Sequence, residues 1–279
     1  MHRRLHVCQI INIRNENTMN LVDDILVKLW DMDPLGTEIA RETDDYGDII
    51  VSEYKHYRML RFDQLYEQSK MSMKAPAAPI HHYIKAMLMA ISWCEGKSAL
   101  LLGLGGGSLL RALHAHDANM QLDVVELRPK VLDIARRYFT LPDVPHITYY
   151  VEDAVDYLRR DTGQRYEFIF SDLYSAFCMD PLQGTEAFLK HCKASLYEGG
   201  WLIMNFLEMP HSHTLLHHAL YRVFTDVFFC LTGSGNVIIY ATSSRSGYQL
   251  KSMQIQAARL KGEGLGEMGH LSGRLERLL

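Results

Sequence analysis

The chain lacks the features that mark several large protein classes. No two cysteines share C-x-x-C spacing. The five, Cys8, Cys94, Cys178, Cys192 and Cys230, are scattered and odd in number, which speaks against a disulfide framework and for reduced thiols in the cytoplasm. No apolar run reaches the roughly 18–20 residues that span a bilayer, so no membrane partner is expected. An excess of basic charge is also missing: 29 Lys and Arg against 33 Asp and Glu leave a formal net charge of −4, no footprint for nucleic acid. The start, "MHRRLHVCQIINIRNEN", is basic, but Gln9 and Asn12 interrupt its apolar stretch and no small-residue cleavage site follows. It is not read as a signal peptide. Residues 1–18 are expected to form a disordered extension, with Met19 as a second candidate start. Fourteen histidines, some adjacent as in His81-His82 and His217-His218, come without the cysteines or carboxylates that complete a familiar ligand spacing, and no metal is expected.

What is present is ample apolar material, 48% of 279 residues with 22% charged, enough for one large core with a small appendage. Residues 19–76 read as a small β-rich region, with "DIIVSEY" and "YRMLRFD" as strands and Tyr46-Gly47-Asp48 as a turn. "APAAP" then breaks the chain before "IHHYIKAMLMAISW", which has helical spacing. From Ser98 onward apolar strands alternate with amphipathic helices, among them "SALLLGLG", "SLLRALHAH", "QLDVVEL", "PKVLDIARRYF", "ITYYVE" and "YEFIFSDL". That rhythm predicts an α/β fold with a parallel sheet covered on both faces, over residues 77–243. The last two strands, "DVFFCLT" and "NVIIYATS", are joined by Gly233-Ser234-Gly235, short enough to require an antiparallel hairpin. Residues 244–279 read as a helix followed by a loose tail.

In such a sheet ligands bind beyond the carboxyl ends of the strands, where the first strand meets its helix. Here that point is Gly103-Leu104-Gly105-Gly106-Gly107. Glycines allow the tight turn and the close approach of a ligand, and helix-start amides favour electron-rich groups. Glu126 ends the next strand, where a carboxylate can accept both ribose hydroxyls. Asp153 follows the third strand in "VEDA", placed to accept from an adenine amino group, or simply to cap the helix. Three such residues at three successive strand ends point to an adenosine-bearing cofactor. The closing hairpin favours the seven-stranded, Rossmann-like class I S-adenosylmethionine-dependent transferase fold over a dehydrogenase.

Across most of residues 48–243, "GLGGGSLLRAL", "VVELRPKVLDIARRYF", "VEDAVDYL", "FSDLYSAF" and "TEAFLKHCKASLYEGGWLI" resemble, in order and character, the polyamine aminopropyltransferases, the spermidine synthase family. The resemblance implies that Gln68 is the substrate-side glutamine, Tyr83 the helix tyrosine, Glu126 the ribose-binding glutamate, Asp153 the adenine-binding aspartate and Asp172 the catalytic base. Tyr174 and His82 are candidates for orienting the acceptor amine. The resemblance also implies a homodimer. The chain departs from the family pattern at three places. The family's aspartate within the glycine turn falls on Gly106, the second aspartate of its fourth-strand motif on Ser175, and its acidic residues before the helix tyrosine around Pro79 and Ile80. An aspartate in the turn would hold the amine of decarboxylated S-adenosylmethionine and repel the carboxylate of S-adenosylmethionine itself; Gly106 removes that repulsion. The reading is an aminopropyl transfer from decarboxylated S-adenosylmethionine to a small amine. Methyl transfer from S-adenosylmethionine and a non-catalytic nucleoside-binding protein are its alternatives.

Overall fold

The computed structural model describes residues 36–62, 67–160, 163–174, 180–244, 247–266 and 268–278; the expected extension at 1–18 and Ser175 lie outside them. Strands β1 (Thr37–Asp44), β2 (Gly47–Tyr54), β3 (Tyr57–Arg61) and β4 (Glu67–Ser72) form an antiparallel sheet in chain order. The sequence announced β2 and β3, whose inner residues are buried, but not β1. That edge strand, "TEIARETD", is largely exposed and carries the charges that keep an edge from pairing with another chain, so apolar alternation cannot reveal it.

The rest of the chain follows the expected alternation: α1 (His82–Leu88), β5 (Ser98–Leu102), α2 (Ser108–His116), β6 (Gln121–Glu126), α3 (Pro129–Tyr138), β7 (Ile147–Val151), α4 (Ala154–Arg159), β8 (Tyr166–Ser171), α5 (Glu186–Ala194), β9 (Leu196–Phe206), α6 (Leu215–Val223), β10 (Asp226–Leu231) and β11 (Val237–Thr242). The tail departs from expectation. Instead of ending loosely it forms α7 (Leu250–Ala258), α8 (Met268–Ser272) and β12 (Leu275–Arg277). β12 pairs antiparallel with β10, so among the described residues the sheet has eight strands, ordered β12-β10-β11-β9-β8-β5-β6-β7, rather than seven. One buried leucine followed by two exposed charged residues is too short a pattern to read as a strand without the neighbour it pairs with.

Period-two alternation explains the two faces of the sheet. Ala99 and Leu101 of β5 pack with α1, α2 and the tail helices, whereas Leu100 and Leu102 pack with α4, α5 and α6. Helix α3 is clamped twice: Leu132 and Ala135 join the first layer, while Val131 and Ile134 meet Ile49, Val51, Leu60 and Met71 of the N-terminal sheet. Through α3 the small sheet is fixed over one end of the large one. The strand order reverses between β5 and β8, which are parallel neighbours. Ligand crevices open at such a reversal.

Candidate active site

At that reversal β5 ends in the glycine turn and β8 ends in Asp172. The two touch: Gly103 has φ +95°, and a Cβ on it would lie 2.4 Å from the Asp172 carbonyl oxygen. Only glycine fits there, on grounds of both conformation and space. The turn wraps one wall of a cavity of about 610 Å³.

Glu126, at the end of β6, reaches under the turn. Its Oε2 accepts from the Leu104 amide at 3.1 Å and its Oε1 from the Arg128 amide at 2.9 Å; the Gly105 amide donates to it as well. Burial raises its pKa above the usual carboxylate range, and these amides oppose the rise. Asp153 does cap α4, its Oδ1 accepting from the Val155 amide at 2.8 Å and the Asp156 amide at 3.1 Å. The same side chain lines the cavity, so its cap role and a ligand role share one carboxylate.

Asp172 lines the same cavity just past the end of β8. Its Oδ1 accepts from Asn205 Nδ2 at 2.9 Å, and the Tyr83 hydroxyl donates to the same carboxylate. Burial pushes its pKa up, and the two donors pull it back only in part. Tyr83 is raised well above the ordinary phenol value by burial and by the Asp172 charge, so it stays protonated and donating. Tyr174, also raised by burial, donates to the Asn205 carbonyl at 3.2 Å. A carboxylate held by two neutral donors in a partly dry pocket is suited to accepting a proton from a bound ammonium.

Of the residues picked out from sequence, Gly103, Gly105, Glu126, Asp153, Gln68, Tyr83, Asp172 and Tyr174 line this one cavity. Three are placed elsewhere. Gly107 supplies the left-handed turn (φ +71°) that starts α2, and a Cβ there would meet Leu141. Gly106 is buried beneath the turn, where its carbonyl accepts from Arg111 and a Cβ would stand 2.7 Å from Ser69 Oγ. His82 is exposed and outside the cavity lining, and its neighbour His81 lines the cavity instead. At the start of a helix, adjacent residues diverge by about 100°, so the pair could not both face inward.

His81 stacks on Tyr83 with ring centroids 5.6 Å apart, and its Nε2 lies 3.2 Å from Glu67 Oε1. Burial lowers its pKa against the pull of Glu67. The sequence reading missed His81, Glu67, Asn205 and Arg111. A trace of Asn205 was there, as the one amide within the apolar run "WLIMNF". Among the described residues six carboxylates, Glu67, Glu126, Glu152, Asp153, Asp172 and Asp180, line the cavity, against Arg128 and His81. Glu67 is paired with Lys70 at 3.0 Å and Glu152 with Arg160, which leaves the charge of the other four. Arg128 is engaged by Asp44 at 2.8 and 3.0 Å. The cavity therefore favours cationic ligands even though Gly106, Pro79 and Ile80 carry no acid.

Comparisons agree with this architecture. The human methyltransferase-like protein 13, solved in complex with SAH, superposes with a TM-score of 0.59 at 21% identity, over 68% of this chain and 93% of that one. A probable spermidine synthase from Corynebacterium glutamicum superposes at 0.66 with 17% identity, over 82% of this chain and 89% of that one. The fold is thus that of the class I methyltransferases. In sequence, a polyamine aminopropyltransferase of Chromobacterium violaceum is 26% identical over 251 residues, 88% of this chain and 96% of the relative. The family model described as the spermine/spermidine synthase domain matches residues 77–254. With the glycine turn, Glu126, Asp153 and Asp172 converging inside that span, the chain belongs to the spermine/spermidine synthase family.

Proposed function

We propose that the protein is an aminopropyltransferase that moves the aminopropyl group of decarboxylated S-adenosylmethionine onto a small amine. The observation that carries this reading is the buried Asp172 carboxylate, held by Tyr83 and Asn205 in an acidic cavity that also contains Glu126 and Asp153. In this reading the adenosine lies between Glu126 and Asp153, against the backbone of Gly103 and Gly105, and Gln68 faces the donor's tail. The acceptor ammonium gives a proton to Asp172. Its nitrogen then attacks the carbon beside the sulfonium, the carbon–sulfur bond breaks, and the electron pair stays on sulfur as a neutral thioether. No acid is needed for a leaving group of that kind. Alignment of nitrogen, carbon and sulfur supplies most of the acceleration. The relatives' shared name, polyamine aminopropyltransferase, supports the same chemistry.

Methyl transfer is the second reading. It is favoured by Gly106, since the turn carries no carboxylate to repel that of S-adenosylmethionine.

Calorimetry with each donor, followed by mass spectrometry of products from a panel of diamines, separates the readings. Aminopropylated product, lost in Asp172→Asn, is the expected result. Methylated product moves the assignment to the second reading. A tight donor complex that modifies no amine in the panel overturns both.

A further inference from the structure

The β10–β11 turn was read from sequence as a plain hairpin, but its side chains form a chain of hydrogen bonds that ends at Asp172. Thr232 Oγ1 and Ser234 Oγ lie 2.9 Å apart, and Thr232 Oγ1 accepts from the Asn236 amide at 3.1 Å. Ser234 Oγ donates to Asn236 Oδ1 at 2.9 Å, which turns the Asn236 Nδ2 toward the sheet. That Nδ2 donates to Asn205 Oδ1 at 3.1 Å, and Asn205 Nδ2 donates to Asp172 Oδ1 at 2.9 Å.

An asparagine amide has two orientations, related by a flip that exchanges donor and acceptor. Flipped, Asn205 would aim its oxygen at a carboxylate and its NH₂ at another NH₂. The donor from Asn236 selects the orientation in which Asn205 donates a hydrogen bond to Asp172. We infer that Asn236 is a positioning residue for Asp172, acting through the side-chain amide of Asn205. Both asparagines also border the cavity, so the competing role is direct contact with the acceptor.

The inference deepens the proposed function and rests on it for its catalytic meaning, but its physical content can be tested without turnover. The titratable groups around Asp172 among the described residues are Tyr83 from α1 and Tyr174 after β8. Farther out come Glu67 on β4 and His81 beside Tyr83, with Asp180 on the same cavity wall. None of these is altered by substitution at the turn.

The experiment is a carbon-13 NMR titration of the full-length protein labelled at aspartate carboxyls, with the Asp172 signal assigned by its loss in Asp172→Asn. In the parent, Asp172 titrates above the usual carboxylate range. In Asn205→Ala it titrates higher still, by roughly one pH unit, because a donor to the charged form is gone. In Asn236→Ala the shift has the same sign and is smaller. Asn236 is half-buried on a turn, so this variant keeps the test decisive even where Asn205→Ala does not fold. If turnover is found, the acid limb of kcat/KM moves with the NMR value. An unmoved Asp172 titration in Asn236→Ala overturns the inference. So does a raised acceptor KM with an unchanged pKa, which assigns Asn236 to the acceptor. Absence of turnover with the NMR shift intact refutes the enzymatic reading and leaves the inference standing.

Discussion

Gly106 offers a test in which packing geometry and donor chemistry can be told apart. A Cβ there would stand 2.7 Å from Ser69 Oγ, 2.9 Å from Ser69 Cβ and 3.2 Å from the Phe139 ring. Ser69 is buried on β4, and Phe139 is fully buried, so neither neighbour swings aside freely. Forcing a methyl into such a site costs about 1–3 kcal/mol. Gly106 is not among the residues of positive φ, so alanine meets no backbone strain there, and the loss of unfolded-chain entropy returns about 0.4–1 kcal/mol. At the middle of the two ranges the net expectation for Gly106→Ala is a loss of about 1.3 kcal/mol. At about 2–4 °C per kcal/mol for a chain of this size, the melting temperature falls by roughly 3–5 °C.

Ser69→Gly removes both of the closest contacts. It costs about 0.5–1 kcal/mol alone, as glycine does within a strand, yet in the double variant it restores most of what Gly106→Ala loses. Gly105→Ala is the contrast. Its φ of +52° strains any side chain, but a Cβ there has nothing within 4 Å and Gly105 lines the cavity. That variant loses donor affinity on top of about 1–2 kcal/mol of backbone strain, whereas Gly106→Ala loses stability through packing alone. Thermal melts with and without donor, on the four variants and the parent, make the comparison. If Gly106→Ala melts at or above the parent, or Ser69→Gly brings no recovery, the packing argument is wrong. If it holds, a donor-selectivity switch at this position needs Ser69→Gly together with Gly106→Asp.

Two further predictions follow from the buried charges. Burial raises the Asp172 pKa in the folded state above its unfolded value, so ionising it costs stability at every pH above that unfolded value. Asp172→Asn therefore melts higher than the parent at pH 7, the gain fades as the pH falls toward 4 and the parent takes up its proton, and transfer drops by about 10²–10⁴-fold; an unchanged or lower melting temperature at pH 7 contradicts the burial argument. Arg128 donates to both Asp44 oxygens and to the Gly47 carbonyl while lying 4.7 Å from the Phe62 ring centroid. Arg128→Met strands the Asp44 carboxylate and costs about 3–5 kcal/mol in urea unfolding, and a loss below about 1 kcal/mol would show that the clasp between the two sheets is dispensable.

Much of the fold and part of the site were legible because they depend on local, periodic chemistry. The alternating apolar runs from Ser98 gave the parallel sheet, Gly233-Ser234-Gly235 gave the antiparallel turn, and the residues ending β5, β6, β7 and β8 gave Gly103, Glu126, Asp153 and Asp172. A strand end points to the same edge of the sheet wherever its neighbours lie, so those placements need no tertiary information. Strand β1 was not legible, since its polar residues face solvent, and β12 was not, since three residues become a strand only against β10.

The surroundings of Asp172 were decided by tertiary contact alone. Asn205 and Asn236 are 31 residues apart in sequence and 3.1 Å apart in space, and only the antiparallel register of β9 and β11 brings them together. The same holds for His81 over His82, a matter of which way α1 is rotated as Ile84 and Met87 enter the core. Ser69 filling the space beside Gly106 depends on α3 holding the small sheet in place. Sequence by itself determined which groups stand at the strand ends, because backbone periodicity dictates that. Which of them share a proton, a partner or a wall was settled only when long-range packing fixed their distances to tenths of an ångström.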